Sequence, residues 1–370
     1  MSVNGTGRRR FLISIHHPAQ VHFYRHIVGE LRSHGHEVRV CVRDKEMAAE
    51  LLDAFDIEHT VLNRARETFL GTALTQGSYE IRLLREALRF RPDVLTSIGG
   101  IEISHVAPLV GARSIAFTDT PSSVARRLTS PFLDITCTPT AFNGSVRGEH
   151  RQYEGYHELA YLHPDRFDPQ IDRLREYGVD PGEELFLVRF VSWQAYHDVG
   201  KAGFSRAAKQ KLISTLDDEG TVYITSERPL PVDFEEYALP VPSHLVHDLL
   251  AATDLYVGDS ATMATEAALL GVPTVRMSTD VTGTDIGNFI ELEERYELLS
   301  SFADEARALD RVEELLDTPA VGEQWKQRRD RLLAEKRDVT AYAVEQLETL
   351  AGVSPDTRPV EDRTPLAEPQ

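Results

Sequence analysis

The stretch that decides the fold is TDLYVGDSATMATEAALLGVPTVRM, residues 253–277. It predicts a short apolar strand over 255–257, a Gly-Asp-Ser turn, and a helix that begins near Ala261 and Thr262. The helix ends at Gly271, and Pro273 leads into a second strand over 274–277. This order builds an anion site, because unpaired backbone N–H groups and the helix dipole face the same point.

Three side chains of this stretch add polar groups to the predicted anion site. Ser260 and Thr262 carry hydroxyls, and Glu266 lies four residues beyond Thr262 on the same helical face. A carboxylate there is placed to accept both hydroxyls of a ribose whose diphosphate lies on the helix end. The sequence therefore predicts a site for a nucleoside diphosphate. The alternative is an ordinary strand–helix–strand unit, in which a hydroxyl caps the helix and Glu266 only favours its dipole.

The segment DSATMATEAALLGVP, residues 259–273, resembles the C-terminal motif of UDP-N-acetylglucosamine 2-epimerases, Asp-Ser-Gly-Gly-x-x-x-Glu-x-x-x-x-Gly-x-Pro. With one residue fewer it is also similar to the motif of the peptidoglycan GlcNAc transferase. Both families belong to the GT-B superfamily. The resemblance implies that Ser260, Ala261 and Thr262 face the diphosphate and Glu266 the ribose, with Asp259 beside them. Ala-Thr replaces the Gly-Gly of the motif, which leaves the backbone less free to approach a phosphate.

Over roughly residues 10 to 350 the chain resembles an uncharacterised, largely archaeal family, number 354 among the domains of unknown function. The matching segments are HPAQVHFYRHIVGEL, GHEVRVCVRD, PDV, FTDTP, VRFVSWQAYHDVG, VYITSERPLP and GDSATMATEA. This resemblance indicates the fold more than the chemistry, since one fold serves many functions.

The composition fits a protein with two cores. Of 370 residues 41% are hydrophobic, which is enough for two domains. No apolar run approaches membrane-spanning length, and the apolar residues after MSVNGTGRRR are too few for a signal-peptide core. Cys41 and Cys137 are too sparse for a disulfide framework and fit a reducing compartment. We therefore expect a cytoplasmic protein.

The charge is strongly acidic and comes with little lysine. The formal net charge is -19, which argues against a general nucleic-acid role because no basic tract offsets it. Nearly all positive charge is arginine, since lysine stands only at positions 45, 201, 209, 211, 326 and 336. Such a surface is typical of a salt-accumulating halophilic archaeon, where salt screens the self-repulsion. An ordinary acidic protein is the alternative.

Alternating strand and helix patterns predict an α/β protein with parallel sheets. We expect the GT-B fold, with two Rossmann-like doubly wound domains facing across a cleft. The expected divisions are a flexible N-terminus (1–10), a first domain with its connection (11–180), a second domain (181–322), one long crossing helix (323–352) and a disordered tail (353–370). Strands are expected over 11–15, 37–42, 59–62, 94–98, 114–117 and 137–140, the last of which ends the first half. The second half has expected strands over 185–191 and 222–225. Helices are expected over 21–34, 47–55, 79–90 and 123–128. Residues 143–181 are expected to connect the domains, with a short helix near Gln170 to Tyr177.

Two residues of the first domain are candidates for acid–base work. His22 resembles the histidine of a GHV…L…GHEV run in nucleotide-sugar glycosyltransferases, where it acts as a base or positions the donor; otherwise it packs at the helix start. Asp119 follows a buried strand and is the best carboxylate for proton transfer or for orienting His22, unless it only caps the turn before Pro121. Besides the loops that carry His22 and Asp119, a third loop over residues 99–102 permits a ligand to approach the backbone closely.

A metal site is not expected, because the histidine pairs lack a nearby Cys or HExxH arrangement. The second domain offers further binding candidates at the ends of its strands. Arg189 is placed to contact phosphate, or else to pair with an interior acid. Trp193 and Tyr196 are placed to stack on a sugar or base, or else to pack in a core. His244 is placed to fix the base, or else only to start a helix. The remaining candidates are His197, Ser226 and Glu227.

These features predict an inverting, metal-independent glycosyltransferase that takes a nucleotide sugar, most simply a UDP-sugar, as substrate and needs no other cofactor. The expected partners are the nucleotide sugar and a glycan or lipid-linked acceptor, without nucleic acid and without a transmembrane segment. Peripheral membrane contact and the oligomeric state stay open. The alternatives are a sugar-nucleotide 2-epimerase and a non-catalytic sugar-nucleotide-binding protein.

Overall fold

Two parallel sheets, one in each half of the chain, organise the fold. The computed structural model describes residues 7–44, 47–64, 69–121, 132–190, 203–226, 229–278 and 285–353. The first sheet has seven strands in the order β3-β2-β1-β4-β5-β6-β7. Its strands are β1 (Arg10–Ile15), β2 (Glu37–Asp44), β3 (His59–Arg64), β4 (Val94–Ile98), β5 (Arg113–Phe117), β6 (Ile135–Pro139) and β7 (Glu149–Tyr153).

The second sheet has five parallel strands in the order β12-β11-β10-β8-β9. Its strands are β8 (Leu185–Phe190), β9 (Thr221–Ser226), β10 (Leu255–Gly258), β11 (Thr274–Met277) and β12 (Ser300–Phe302). β10 pairs in register with β8 on one side and β11 on the other. Four of its residues are buried along the strand, as a central parallel strand requires.

Helices cover both sheets. Short 3-10 segments (Ile171–Tyr177, Val232–Tyr237, Ser243–Leu245) and a π turn (Glu291–Arg295) join them. The helices are α1 (Pro18–Ser33), α2 (Ala48–Ala54), α3 (Phe69–Phe90), α4 (Ile101–Val110), α5 (Leu159–Leu162), α6 (Arg206–Asp217), α7 (Val246–Ala251), α8 (Ala261–Leu270), α9 (Gly287–Ile290), α10 (Glu305–Leu316), α11 (Val321–Glu335) and α12 (Val339–Leu350). Within the described ranges, no helix combines the length and the apolar composition of a membrane span.

The strand orders place one switch point in each sheet. In the first sheet the chain moves outward from β1 to β3 and then returns to lay β4 on the other side of β1. In the second sheet β9 and β10 lie on opposite sides of β8. Ligands of doubly wound domains bind beyond the carboxyl ends of the strands at such points. The loops after β1, β4, β8 and β10 are therefore the positions to inspect for chemistry.

The carboxyl ends of the two sheets face each other. Asn143, beyond the end of β6, donates a hydrogen bond of 2.8 Å from Nδ2 to the carbonyl oxygen of Asp285, beyond the end of β11. Gly287 lies directly against the backbone of Ala141. Both switch points thus open onto one cleft between the domains.

The C-terminal helices return to the first domain. We predicted one long helix over 323–352, but the structure has two, α11 and α12, separated at Lys336. The break follows from Asp338, whose carboxylate accepts hydrogen bonds from the N–H groups of Thr340 (2.9 Å) and Ala341 (3.2 Å) and so caps a new helix. α12 packs against α1 and α5.

Three further expectations about elements were wrong. The strand over 137–140 does not end the first half, because β7 follows it; this strand, EHRQY, is a mostly exposed edge strand without an apolar pattern. The connection over 143–181 contains β7 and α5 in addition to the predicted short helix, which is the 3-10 segment over Ile171–Tyr177. Residues 99–102 are not wholly a loop, since α4 begins at Ile101. The predicted helix over 123–128 lies outside the described residues, as does the tail beyond residue 353.

Candidate functional site

A histidine and a buried glutamate meet at the switch point of the first sheet. His16 follows β1 directly, and Glu102 lies in the first turn of α4, after β4. His16 Nε2 lies 3.0 Å from Glu102 Oε1 and 3.2 Å from Ser14 Oγ. The Glu102 side chain is 4% exposed, whereas that of His16 is 17% exposed. The pair presents a reachable imidazole backed by a buried carboxylate, and neither residue was a catalytic candidate in the sequence analysis.

Gly100 makes this pairing geometrically possible. Its φ is 77°, a left-handed conformation that suits glycine. A Cβ atom at Gly100 would lie only 2.6 Å from Ala116 Cβ on the neighbouring strand. The turn from β4 into α4 is therefore tight enough to bring Glu102 back beside His16.

The surroundings of the pair determine the charge of Glu102. Burial raises the pKa of Glu102, but the His16 charge and hydrogen bonds to the carboxylate outweigh burial and lower that pKa to about 2. Glu102 is therefore ionised at neutral pH, with its Oε1 3.0 Å from His16 Nε2. We assign neutral His16 to the Nε2–H tautomer, which leaves the Nδ1 lone pair to accept a proton.

The strand, turn and helix end that carry the predicted anion site lie at the switch point of the second sheet. Ser260 caps α8, because its Oγ accepts a hydrogen bond of 3.4 Å from the Met263 N–H. Ala261 is exposed, and Asp259 and Thr262 are half-buried. The first turn of a helix carries N–H groups that no helical carbonyl satisfies, and here that turn opens at the carboxyl end of β10. This end of α8 is suited to an anionic group such as a diphosphate.

Two cations lie near this helix end. Arg189, at the end of β8, donates a hydrogen bond of 2.9 Å from Nη1 to Thr225 Oγ1. Lys209 on α6 is buried, with Nζ 4.8 Å from the centre of the Phe190 ring. Burial lowers the pKa of Lys209 and the charge of Asp259 raises it in part. The sequence analysis did not name Lys209 as a binding candidate. The scarcity of lysine in the chain was the signal that could have drawn attention to it.

Glu266 lies in a buried cluster that joins the two domains. It is 4% exposed, and its Oε1 accepts hydrogen bonds from Tyr161 Oη at 2.7 Å and from His247 Nε2 at 3.0 Å. His22 packs against this cluster, with its ring 4.5 Å from that of His247. The proposed ribose carboxylate is thus held by donors from two other helices.

His22 is buried inside this contact and does not line an open loop. Its exposure is 5%, and α1 begins four residues before it, at Pro18, where His17 caps the helix. Burial, followed by the neighbouring charges of His247 and Arg25, lowers the pKa of His22 well below its usual value. A buried imidazole of low basicity suits packing between the domains better than proton transfer with an acceptor.

Asp119 lies beyond β5 and faces residues that sequence reasoning assigned to the connection. Its side chain is 25% exposed, and Oδ2 lies 3.5 Å from His157 Nδ1. Glu158 follows His157 in the chain and is buried. Burial and the charge of Asp119 raise the pKa of Glu158 well above its usual value. The two carboxyl groups are therefore close enough for the charge of Asp119 to disfavour the charged form of Glu158. The signal for them was the mixture of charged and aromatic residues in HELAY, residues 157–161.

The other predicted binding residues lie as follows. Ser226 ends β9 and is half-buried. His244 lies in a short 3-10 segment, and burial together with the charge of Arg173 lowers its pKa. Trp193, Tyr196, His197 and Glu227 lie outside the described residues.

A cluster with metal-ligand chemistry lies on the far side of the first domain. His34 Nδ1 and His36 Nε2 lie 2.6 Å and 3.2 Å from Glu348 Oε1. The backbone N–H of Arg9 donates to His36 Nδ1 at 3.1 Å, so the proton of the neutral His36 ring lies on Nε2. A metal at Nε2 needs that proton removed, so we interpret the cluster as hydrogen bonds that fasten α12.

A cavity of about 420 Å³ lies near the amino ends of the strands of the second sheet. It is lined by Glu184, Asp254 and Lys326, which stand near the amino ends of the strands or beyond them on α11. Because ligands of doubly wound domains bind at the carboxyl ends, we leave this cavity out of the site.

Two doubly wound domains with facing carboxyl ends define the GT-B fold, and solved structures share this fold. Glycosyltransferase SnogD from Streptomyces nogalater is 15% identical and has a TM-score of 0.61, over 93% of this chain and 100% of that chain. MurG from Acinetobacter baumannii is 13% identical with a TM-score of 0.56, over 92% and 99%. UDP-GlcNAc 2-epimerase from Neisseria meningitidis, bound to UDP-GlcNAc, is 13% identical with a TM-score of 0.60, over 92% and 99%.

At these identities the likeness concerns the fold, and it confirms the predicted GT-B fold. Residues 10–285 match the family described as "Protein of unknown function (DUF354)", and the chain belongs to this family. No curated protein matches the chain.

Proposed function

We propose that the protein is an inverting glycosyltransferase of the GT-B type that takes a UDP-linked sugar. The observation that carries the proposal is the His16–Glu102 pair at the switch point of the first sheet. An imidazole oriented by an ionised carboxylate is suited to take a proton from a hydroxyl at neutral pH. The helix end at Ser260 supplies the complementary group, an anion site for the leaving diphosphate.

The proposed reaction is one displacement at the anomeric carbon. The acceptor hydroxyl gives its proton to His16 Nδ1 while its oxygen forms a bond to that carbon. The bond from the carbon to the phosphate oxygen breaks, and its electron pair leaves with the nucleoside diphosphate. The N–H groups of the first turn of α8, with Arg189 and Lys209, stabilise the negative charge that develops there.

Asp119 stays the alternative base in this proposal. Its carboxylate is partly exposed and lies 3.5 Å from His157, which is placed to orient it. His22, the other predicted base, is assigned to packing between the domains because it is buried and its pKa is depressed.

One observation favours a sugar-nucleotide 2-epimerase as the second candidate. Asp119 lies 3.5 Å from His157, beside the buried carboxyl of Glu158, and inversion at a C–H carbon requires such a pair of groups to act as acid and base. A non-catalytic sugar-nucleotide-binding protein is the third, since the same helix end and cations would bind the nucleotide without turnover.

Incubation of the purified protein with UDP-GlcNAc and other UDP-sugars in molar KCl separates these functions. A transferase hydrolyses its donor slowly and transfers it quickly once a suitable acceptor glycan or lipid-linked sugar is added. An epimerase converts UDP-GlcNAc to UDP-N-acetylmannosamine without an acceptor, and a binding protein leaves every sugar intact.

The base is tested by His16→Ala with His105→Ala as a matched control. His105 also forms a 3.0 Å pair with a glutamate, Glu80, but on the surface. His16→Ala should lower turnover about a hundredfold or more with nucleotide affinity little changed, and His105→Ala should leave both unchanged. Full turnover in His16→Ala would exclude His16 as the base and return the role to Asp119.

A further inference from the structure

The buried contact between Tyr161 and Glu266 crosses from one domain to the other. We propose that Tyr161 is a positioning residue that holds Glu266 in place for the ribose and so makes ribose binding depend on the first domain. The proposal rests on the proposed function, because it takes Glu266 as the ribose carboxylate.

Two donors share one oxygen of Glu266. Tyr161 Oη donates to Oε1 at 2.7 Å, and His247 Nε2 lies 3.0 Å from the same atom. An ionised carboxylate offers about four lone-pair positions on two oxygens. The two donors on Oε1 fix the rotamer of Glu266. The second oxygen, Oε2, is then the one that would accept a hydrogen bond from a ribose hydroxyl. A hydrogen bond to a charged group is also among the stronger ones, so a fixed carboxylate is a selective ribose reader.

Tyr161 is itself held by the first domain. Arg25 on α1 donates from Nη2 to the Tyr161 carbonyl oxygen at 3.3 Å, and its guanidinium lies 5.9 Å from the centre of the Tyr161 ring. Thr340 on α12 donates to the carbonyl oxygen of Ala160 at 2.7 Å. The hydroxyl that reaches Glu266 therefore belongs to an element anchored on α1 and α12.

The Tyr161 hydroxyl stays a donor at any pH at which the protein works. Burial, followed by the charges of Glu266 and Glu158, raises the pKa of Tyr161 well above its usual value. A phenol that never ionises cannot repel the carboxylate. The contact therefore depends on the distance between the two domains.

The test compares the affinities of UDP and 2′-deoxy-UDP by calorimetry in molar KCl. The wild type should prefer UDP roughly tenfold or more, the loss expected for one hydrogen bond to a carboxylate. Tyr161→Phe should reduce this preference at least about threefold while the affinity for 2′-deoxy-UDP stays within about twofold, because the diphosphate contacts are intact. Tyr156→Phe is the control, since Tyr156 is equally buried and donates at 2.5 Å to a different glutamate, Glu291.

The outcomes separate the two proposals. A wild type that binds neither nucleotide overturns the proposed function and the role of Tyr161 with it. A wild type that prefers UDP, with an equal preference in Tyr161→Phe, overturns the role of Tyr161 alone. If Tyr161→Phe does not fold, 3-fluorotyrosine introduced at position 161 replaces it: its ¹⁹F signal should shift with UDP more than with 2′-deoxy-UDP, and equal shifts would refute the positioning role.

Discussion

Replacing Gly287 with alanine should force the two domains apart. A Cβ atom at Gly287 would lie 1.7 Å from the carbonyl oxygen of Ala141 and 2.9 Å from its carbonyl carbon. Carbon and oxygen approach no closer than about 3.3 Å in ordinary contacts, so the two backbones must separate by roughly 1.6 Å. No side-chain rotation relieves the clash, because the opposing atoms belong to the backbone.

The expected cost follows from two contributions. Overpacking of this kind costs about 1–3 kcal/mol. The separation also stretches the hydrogen bond from Asn143 to Asp285, which is worth about 1 kcal/mol. We expect Gly287→Ala to lower the free energy of unfolding, measured with urea, by about 2–4 kcal/mol. We also expect it to bind UDP more weakly, because the cleft widens.

Gly322→Ala is the matched control for this substitution. A Cβ at Gly322, in the first turn of α11, meets nothing within 4 Å. Alanine there should leave stability unchanged or raise it by up to about 1 kcal/mol, since glycine disfavours helix. If Gly287→Ala unfolds at the wild-type urea concentration and binds UDP with wild-type affinity, the domains do not keep this contact in solution.

Three further predictions concern charge. Glu102→Gln should lower the free energy of unfolding by up to about 3 kcal/mol at pH 7. Because folding lowers the pKa of Glu102 from 4.5 to about 2, this stability is present above pH 4.5 and fades as the pH falls towards 2. A difference from wild type in urea unfolding that stayed constant across this window would contradict the assignment. Lys209→Met should weaken UDP binding about tenfold in calorimetry with little loss of stability, since it removes a buried cation; unchanged affinity would exclude Lys209 from the diphosphate site. The melting temperature should rise strongly from 0.1 M to 1 M KCl, over which the Debye length falls from about 10 Å to about 3 Å and screens the net charge of -19; a flat response would refute the halophile interpretation.

The parts of the fold that local chemistry controls were predictable from the sequence. The strand and helix over 253–277 lie where the sequence placed them: β10 ends at Gly258, Ser260 caps α8, and Gly271 takes a φ of 78° after the last helical residue. Each of these signals involves residues a few positions apart. The alternation of strands then sufficed to predict two parallel sheets.

Groups that meet across the fold were not predictable in the same way. Tyr161 and Glu266 are 105 positions apart, and only the packing of α5 on α8 brings them together. His16 and Glu102 meet because the strand order lays β4 beside β1. No spacing in the sequence encodes such pairs, so His22, which carried a local motif, was the more visible histidine.

The position of α12 affects how the chain is made. Its Tyr342, Ala343, Val344 and Leu347 are buried, and it packs on α1, near the start of the chain. Synthesis proceeds at about 5–20 residues per second, so roughly 10–30 seconds separate the emergence of residue 180 from that of residue 350. During that time the nascent first domain exposes the apolar face that α12 will cover, which is a surface for chaperones to hold. The N-terminal domain is therefore synthesised first, but its packing is complete only after α12 has been synthesised.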